Sequence, residues 1–464
     1  MTFRAVRLNI TLLLVALYML LEAGFMLIRV PPGSVSAVPM AEILILFFFL
    51  TVVADINLIA PFFRAAPAIP FVIWWLVGGT QLIIGFGEHG FWAMRDATSL
   101  IESLFLWIGF VVAASPGAVT TIIAWFHRIL ILAVLIALTY PFREILLSFS
   151  PVITSANLKE IPLFFTYQLT PMTAMLGAIR FLIIDKRIMG VRTHWLAGLI
   201  IIFVAALWQA RAIYLQIFFL LTYVGLTKRG SATRLLAPFG TAILLFAIIV
   251  TLGVPIPGRL SGEVSLSFYF EHFLAILGDK GASDSEAIQG AAGGVGQRFV
   301  WWQAIWDQVT SSIATALFGL GYGISLVGLA KDYHIDAIVR EPHNSLVSAL
   351  GRTGFVGLIA YSWMHAALAI TGVRTYLSYR AKGMVGTEQF LYLLGAMFGM
   401  FWIVAMAEDA FEKPFIAVPY YFFYGVILNL WYRDTHARKE SESLHAKANR
   451  VPSPSFVAQA SNKP

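Results

Sequence analysis

The sequence predicts an all-α integral membrane protein, and three observations carry that prediction. Hydrophobic residues make up 59% of the chain and charged residues only 12%, about half the charged share of an ordinary soluble domain. Apolar runs of the ~20 residues that a helix needs to cross hydrocarbon recur along most of the length. No alternating strand pattern competes with them, so the mass is expected in a helical bundle whose backbone polar groups are satisfied internally.

The first run, Val6 to Ile28, is longer than a signal-peptide core and no convincing small-residue cleavage site follows it, so it reads as a membrane helix. Further spans are placed at 40–60, 68–87, 97–114, 118–141, 167–184, 193–209, 212–227, 235–254, 344–371, 389–407 and 414–431, about twelve crossings with the first. The span over 118–141 contains His127 and Arg128, which makes its start the least defined of the set. Basic residues cluster in three links: Lys186, Arg187 and Arg192; Lys228, Arg229 and Arg234; Arg374, Arg380 and Lys382. All three fall on one side in this count, and the positive-inside rule makes that side cytoplasmic. Both termini are then cytoplasmic. The expected organisation is a membrane bundle over 1–254, a large external loop over 255–342, C-terminal membrane helices over 343–432 and a polar, disordered tail over 433–464.

The formal charge of +7 is accounted for by membrane orientation, so membrane lipids and not nucleic acid are the expected partners. With no cysteine in the chain, disulfides, thiolate metal sites and cysteine nucleophiles are excluded. The long segment from Pro255 to Pro342 exceeds what a connecting loop needs. Its stretch Gly290 to Gly296 reads as a hinge. After it Arg298, Trp301, Trp302, Ile305, Trp306 and Val309 fall at helical spacing, predicting an amphipathic helix with an indole-rich face suited to the membrane interface.

Three basic residues converge on the external side: Arg211 between two spans, Arg298 at the start of the loop helix and His343 where the chain re-enters the membrane. Two guanidinium forks suit diphosphate oxygens, and an imidazole can take a proton from a hydroxyl. Pro342, placed at the first turn of a helix, would hold His343 near the positive end of the helix dipole. Each residue also has a plainer reading: Arg211 as an interfacial anchor, Arg298 as a solvated charge and His343 as a polar cap. Gly319, Gly321 and Gly323 lack a preceding strand, so they read as a turn and not as a phosphate loop. Arg95, Asp96, Glu408, Asp409 and Glu412 read by default as solvated helix ends. Asp55, Glu102 and Arg180 lie in or near apolar runs and would pair inside the bundle.

The stretches Gln209-Ala-Arg-Ala-Ile-Tyr-Leu, Gln297-Arg-Phe-Val-Trp-Trp-Gln-Ala-Ile-Trp, Phe318-Gly-Leu-Gly-Tyr-Gly and Pro342-His-Asn-Ser-Leu-Val-Ser-Ala-Leu-Gly-Arg-Thr-Gly-Phe-Val-Gly-Leu, in that order and spacing, resemble the O-antigen ligase and O-antigen polymerase superfamily. The landmarks cover roughly residues 190 to 430, with Ala93-Met-Arg-Asp as one match in the first half. The resemblance implies a type-C membrane glycosyltransferase of the bacterial inner membrane, metal-independent and inverting, without cofactor and with its active face in the periplasm. It implies catalytic roles for Arg211, Arg298 and His343 and substrate-binding roles for Arg95, Tyr322 and Asn344. The implied donor is an undecaprenyl-diphosphate-linked glycan. The acceptor is another glycan, lipid A core or a protein hydroxyl, with a polysaccharide polymerase favoured because nothing in the loop or tail points to a core acceptor. Arg352 stands where the family commonly has an acidic residue, and Ala210-Arg211-Ala212 replaces a more usual Ser-Arg-Gly. A transporter or flippase for lipid-linked oligosaccharide is the alternative; it predicts inverted repeats and polar groups at the bilayer midplane, and no repeat is visible in the sequence.

Overall fold

The computed structural model describes residues 3–30, 38–52, 57, 60–65, 67–154, 160–184, 187–188, 190–208, 210–252, 286–330 and 339–448. In chain order the helices are α1 (Phe3–Met26), α2 (Met40–Val52), α3 (Ala68–His89), α4 (Phe91–Asp96), α5 (Thr98–Glu102), α6 (Phe105–Ala113), α7 (Ala118–Leu138), α8 (Arg143–Phe149) and α9 (Thr170–Ile183). They continue with α10 (Thr193–Trp208), α11 (Arg211–Thr227), α12 (Arg229–Thr251), α13 (Glu286–Val309), α14 (Ile313–Phe318), α15 (Ser345–Ala381), α16 (Val385–Ala407) and α17 (Pro414–Ala448). Among the described residues, β structure is confined to three two-stranded antiparallel ribbons in the links, such as Val152–Thr154 with Glu160–Pro162.

The all-α architecture is as expected. Among the described residues, six helices are long and apolar enough to cross a membrane: α1, α3, α7, α15, α16 and the stretch Pro414–Lys439 of α17. Shorter apolar helices, among them Thr98–Ala113, Thr170–Ile183, Thr193–Trp208 and Arg211–Thr227, coincide with other expected spans. The doubtful segment with His127 and Arg128 is one continuous helix. The segment 97–114 is divided at Ser103 and Leu104, where the Ser103 hydroxyl donates to Leu100 O and accepts from Trp75 Nε1 at 3.0 Å. Such local hydroxyl bonding competes with the helical ladder.

Two expectations are corrected. Gly290 to Gly296 lies inside α13, so no hinge separates it from the tryptophans; the helix runs through its four glycines despite their low propensity, continuous with the packed turns that carry Trp301 and Ile305. The tail is helical as far as Ala448. Its charged residues are helix formers, and Asp434 ties the segment back by pairing with Lys382 and Arg438 and accepting from Ser378. Residues 449–464, and Asp55, lie outside the described residues.

α17 is the central element. Of an 18-residue apolar window within its membrane-length stretch 89% is buried, and it packs on α1, α6 and α15. Contact with α6 is close enough that a Cβ on Gly425 would stand 2.1 Å from Leu106 O, and one on Gly109 would stand 2.1 Å from Phe422 O. Small residues permit this approach where lipid supplies no hydrophobic drive between helices. Alternation of helix direction brings the start of α11, the start of α15, the end of α16 and the start of α17 to one end of the bundle. Lys228, paired with Glu388 at 3.0 Å, and Lys382 mark the other end.

Candidate functional site

α15 starts at Ser345, with Asn344 as its cap. The Asn344 Oδ1 accepts from the backbone of Leu346 and Val347 at 3.0 and 3.1 Å, and Nδ2 donates to Met406 O at 3.1 Å. Asparagine is among the best N-cap residues because its side chain replaces the missing backbone acceptor. Pro342 is therefore not in the first turn, and His343 lies outside the helix with φ of +54°, a left-handed conformation that costs a non-glycine residue roughly 1–3 kcal/mol. Asn344 works here as the clamp that presents His343.

The imidazole faces the six-residue link Glu408 to Lys413. His343 Nδ1 is 3.0 Å from Asp409 Oδ1, and the Trp301 ring stacks at a tilt with its centroid 5.8 Å from that of His343. Burial opposes ionisation of Asp409, but Lys413 at 3.0 Å and the hydrogen bond from His343 outweigh it and hold the carboxyl well below the usual range. Lys413 is likewise held above its ordinary value, burial being outweighed by Asp409 and Glu408. An ionised carboxylate only accepts. The neutral form of His343 therefore has its proton on Nδ1 and its lone pair on Nε2.

Arg298 joins this group at Glu408. Arg298 Nη2 is 3.5 Å from Glu408 Oε1, and Oε2 of the same carboxylate is 3.7 Å from His343 Nδ1 and 3.3 Å from Lys413 Nζ. Arg211, at the start of α11, lies within the field of both Arg298 and Glu408. The loop helix α13 is held over the site by burial of Trp301, Ile305 and Val309 and by Trp302 Nε1, which donates to Pro342 O at 2.8 Å. The expected indole face is thus divided: Trp301 and Trp302 turn toward the re-entry point while Trp306 is exposed.

Below the imidazole lies a buried charge network that supports the re-entering chain. Asp96, on α4, accepts from Arg340 Nε and Nη2 at 2.9 and 2.8 Å and pairs with Arg352 at 3.2 Å. Arg352 also pairs with Glu341, whose carboxylate accepts from Ser348 at 3.0 Å. The glycine turn is woven into it: Arg352 donates to Gly321 O and Ile324 O at 3.1 and 2.8 Å, Arg340 donates to Gly323 O, and Asp96 accepts from Gly323 N. Leu320 N and Gly321 N bond to Gly351 O and Arg352 O. These turn amides are spent inside the protein, which agrees with a turn and leaves no phosphate cradle. Gly354, with φ of +64°, lies so near the turn that a Cβ would stand 2.5 Å from Gly319 N.

Of the residues singled out in the sequence, His343, Arg298 and Arg211 are brought together and Asn344 adjoins them. Tyr322 is 2% exposed, with burial first among the causes that push its phenol up, so it is a packing element of the turn. Arg95 is grouped with Arg340, their guanidinium carbons 5.0 and 4.6 Å from the Trp92 ring centroid. Arg352 is not at a surface but buried in the network. Sequence reasoning read Asp409 and Glu408 as solvated ends and gave Lys413 no role; the signal available was their crowding within six residues opposite three basic groups. His343, Glu408 and Asp409 place ligand atoms within 4.8 Å of one another, a spacing a divalent cation could bridge, yet Lys413 already occupies the space between the two carboxylates. Against family models and against curated proteins, the chain finds no match.

Proposed function

We propose that the chain is a multi-pass glycosyltransferase of the bacterial inner membrane, with about twelve crossings, cytoplasmic termini and its site at the periplasmic face. It transfers or polymerises an undecaprenyl-diphosphate-linked glycan. The observation that carries this reading is the meeting of Arg298 and His343 on one carboxylate, Glu408, with Arg211 in the same field.

In this reading His343 Nε2 takes the proton of an acceptor hydroxyl while Asp409 holds the ring and stabilises the imidazolium that forms. The hydroxyl oxygen bonds to the anomeric carbon from the face opposite the diphosphate, and the bond from that carbon to the diphosphate oxygen breaks. The leaving diphosphate takes the electron pair, and Arg211 and Arg298 stabilise the charge it gains. One displacement inverts the anomeric configuration. The residues supply base and electrostatic stabilisation from their own side chains, so the reaction is read as metal-independent, and addition of a chelator should leave its rate unchanged. The acceptor is a second lipid-linked glycan in a polymerase, lipid A core in a ligase or a protein hydroxyl in a protein glycosyltransferase.

The test is an assay of purified protein with lipid-linked repeats and each acceptor in turn, comparing the intact chain with His343→Ala and Arg211→Lys. Transfer that depends on one acceptor and is lost in both variants supports the reading. Equal transfer by all three proteins overturns it.

A further inference from the structure

Glu408 differs from the acidic residues around it in how it meets its partners. Asp409 stands 3.0 Å from both His343 and Lys413, and Asp96 stands 2.8 Å from Arg340. Glu408 instead stands 3.3 Å from Lys413, 3.5 Å from Arg298 and 3.7 Å from His343. A charge-assisted N–H···O bond closes to roughly 2.7–2.9 Å, so Glu408 touches several basic groups and holds none of them at the optimum. Its side chain is 37% exposed where that of Asp409 is 19%, and its path to solvent is open.

We propose that Glu408 is a resident anion, which occupies the place of a diphosphate on Arg298 and Arg211 and swings outward when that ligand arrives. The proposal rests on the glycosyltransfer reading and assigns an internal competitor to the same site. Arg211, Arg298 and Lys413 face the two carboxylates Glu408 and Asp409, leaving a modest positive excess. A monophosphate that displaces Glu408 exchanges one small anion for another. A diphosphate brings further charge and enough oxygens to engage both arginine forks together. Because Glu408 must leave for either ligand, its competition lowers both affinities by the same factor, and the diphosphate, with both forks engaged, is the one still held. Its return after transfer favours release of the polyprenyl diphosphate product.

The experiment measures binding of undecaprenyl diphosphate and undecaprenyl phosphate to the full-length protein in detergent. Glu408→Gln keeps the shape and removes the charge. It should tighten both lipids by about tenfold, the size of one charged hydrogen bond. Glu408→Asp, which keeps the charge, should stay nearer the wild-type affinities. Arg298→Lys should weaken the diphosphate in either background. Unchanged or weaker binding of the two lipids in Glu408→Gln, or equal affinities in the aspartate and glutamine variants, overturns the resident-anion role while the arginine effect leaves the glycosyltransfer reading standing. Diphosphate binding indifferent to both Arg298→Lys and Arg211→Lys overturns that reading, and this proposal with it.

Discussion

His343 Nδ1 and Asp409 Oδ1 stand 3.0 Å apart, across the junction between the start of α15 and the link that follows α16. The pairing fixes which ring nitrogen is free, because a carboxylate can only accept. Asp409→Asn replaces it with an amide that can also donate, and the competing tautomer then becomes available with its proton on Nε2. The turnover number should fall by about 10²–10⁴-fold, the range of a lost general base, while the donor KM changes little. Initial rates at varied donor concentration check this; a fall in affinity at constant turnover would contradict the assignment.

Arg298 meets Glu408 through one terminal nitrogen at 3.5 Å, which leaves the rest of its planar fork for ligand oxygens. Lysine preserves the charge and loses the fork. Arg298→Lys should therefore cost one or more charge-assisted hydrogen bonds, and transfer efficiency should drop by roughly 10- to 100-fold at about 1.5–3 kcal/mol per bond. The deficit should shrink little with added salt, because a directional bond and not a screened charge has been removed.

Asp96 answers two guanidiniums, the buried Arg352 and the partly buried Arg340. Removing one member of such a network leaves charge uncompensated in a place water does not reach. Asp96→Ala should destabilise the fold by roughly 3–5 kcal/mol, and thermal unfolding in detergent reads the loss. Glu88→Ala, on a side chain that is 68% exposed, is the control and should change stability by no more than about 0.5 kcal/mol.

The helices were readable because the hydrocarbon core requires long apolar runs, and α3, α7, α15 and α16 follow them closely. Where the helix ladder yields to local hydroxyl bonding, as at Ser103, apolarity alone carries no mark of the break. Arg211, Arg298 and His343 could be singled out because phosphate and hydroxyl chemistry call for their residue types at the external surface. Asp409 and Asp96 could not. A carboxylate at a helix end has the same local signature whether it meets water or a guanidinium from a segment hundreds of residues away, and only the packing of α4 and α15 brings Asp96 to Arg340 and Arg352. The position of Pro342 misled for a related reason: Asn344 competes for the cap with two side-chain hydrogen bonds, and that competition is decided by contact with Met406.

Glu412 provides a pH dependence with a definite sign. Burial pushes its carboxyl up to about 8, with Glu341 and Asp409 adding to the effect and the hydrogen bond from Ser345 opposing it. In the unfolded chain a glutamate ionises near about 4.3. Across the window between those values the folded protein keeps a proton that the unfolded chain has released, so stability falls as pH rises, by at most about 1.4 kcal/mol per unit. Below the window both states are protonated, and above it both are ionised, so the slope vanishes at each end. Glu412→Gln stays neutral throughout, and its amide oxygen can still accept from the Ser345 hydroxyl, which lies 2.8 Å from the native carboxylate. The melting temperature of Glu412→Gln relative to the wild type should therefore climb steadily between about pH 5 and pH 8 and level off beyond. A difference that is flat across that interval would mean that the carboxyl reaches water and ionises in the folded protein as it does in the unfolded one.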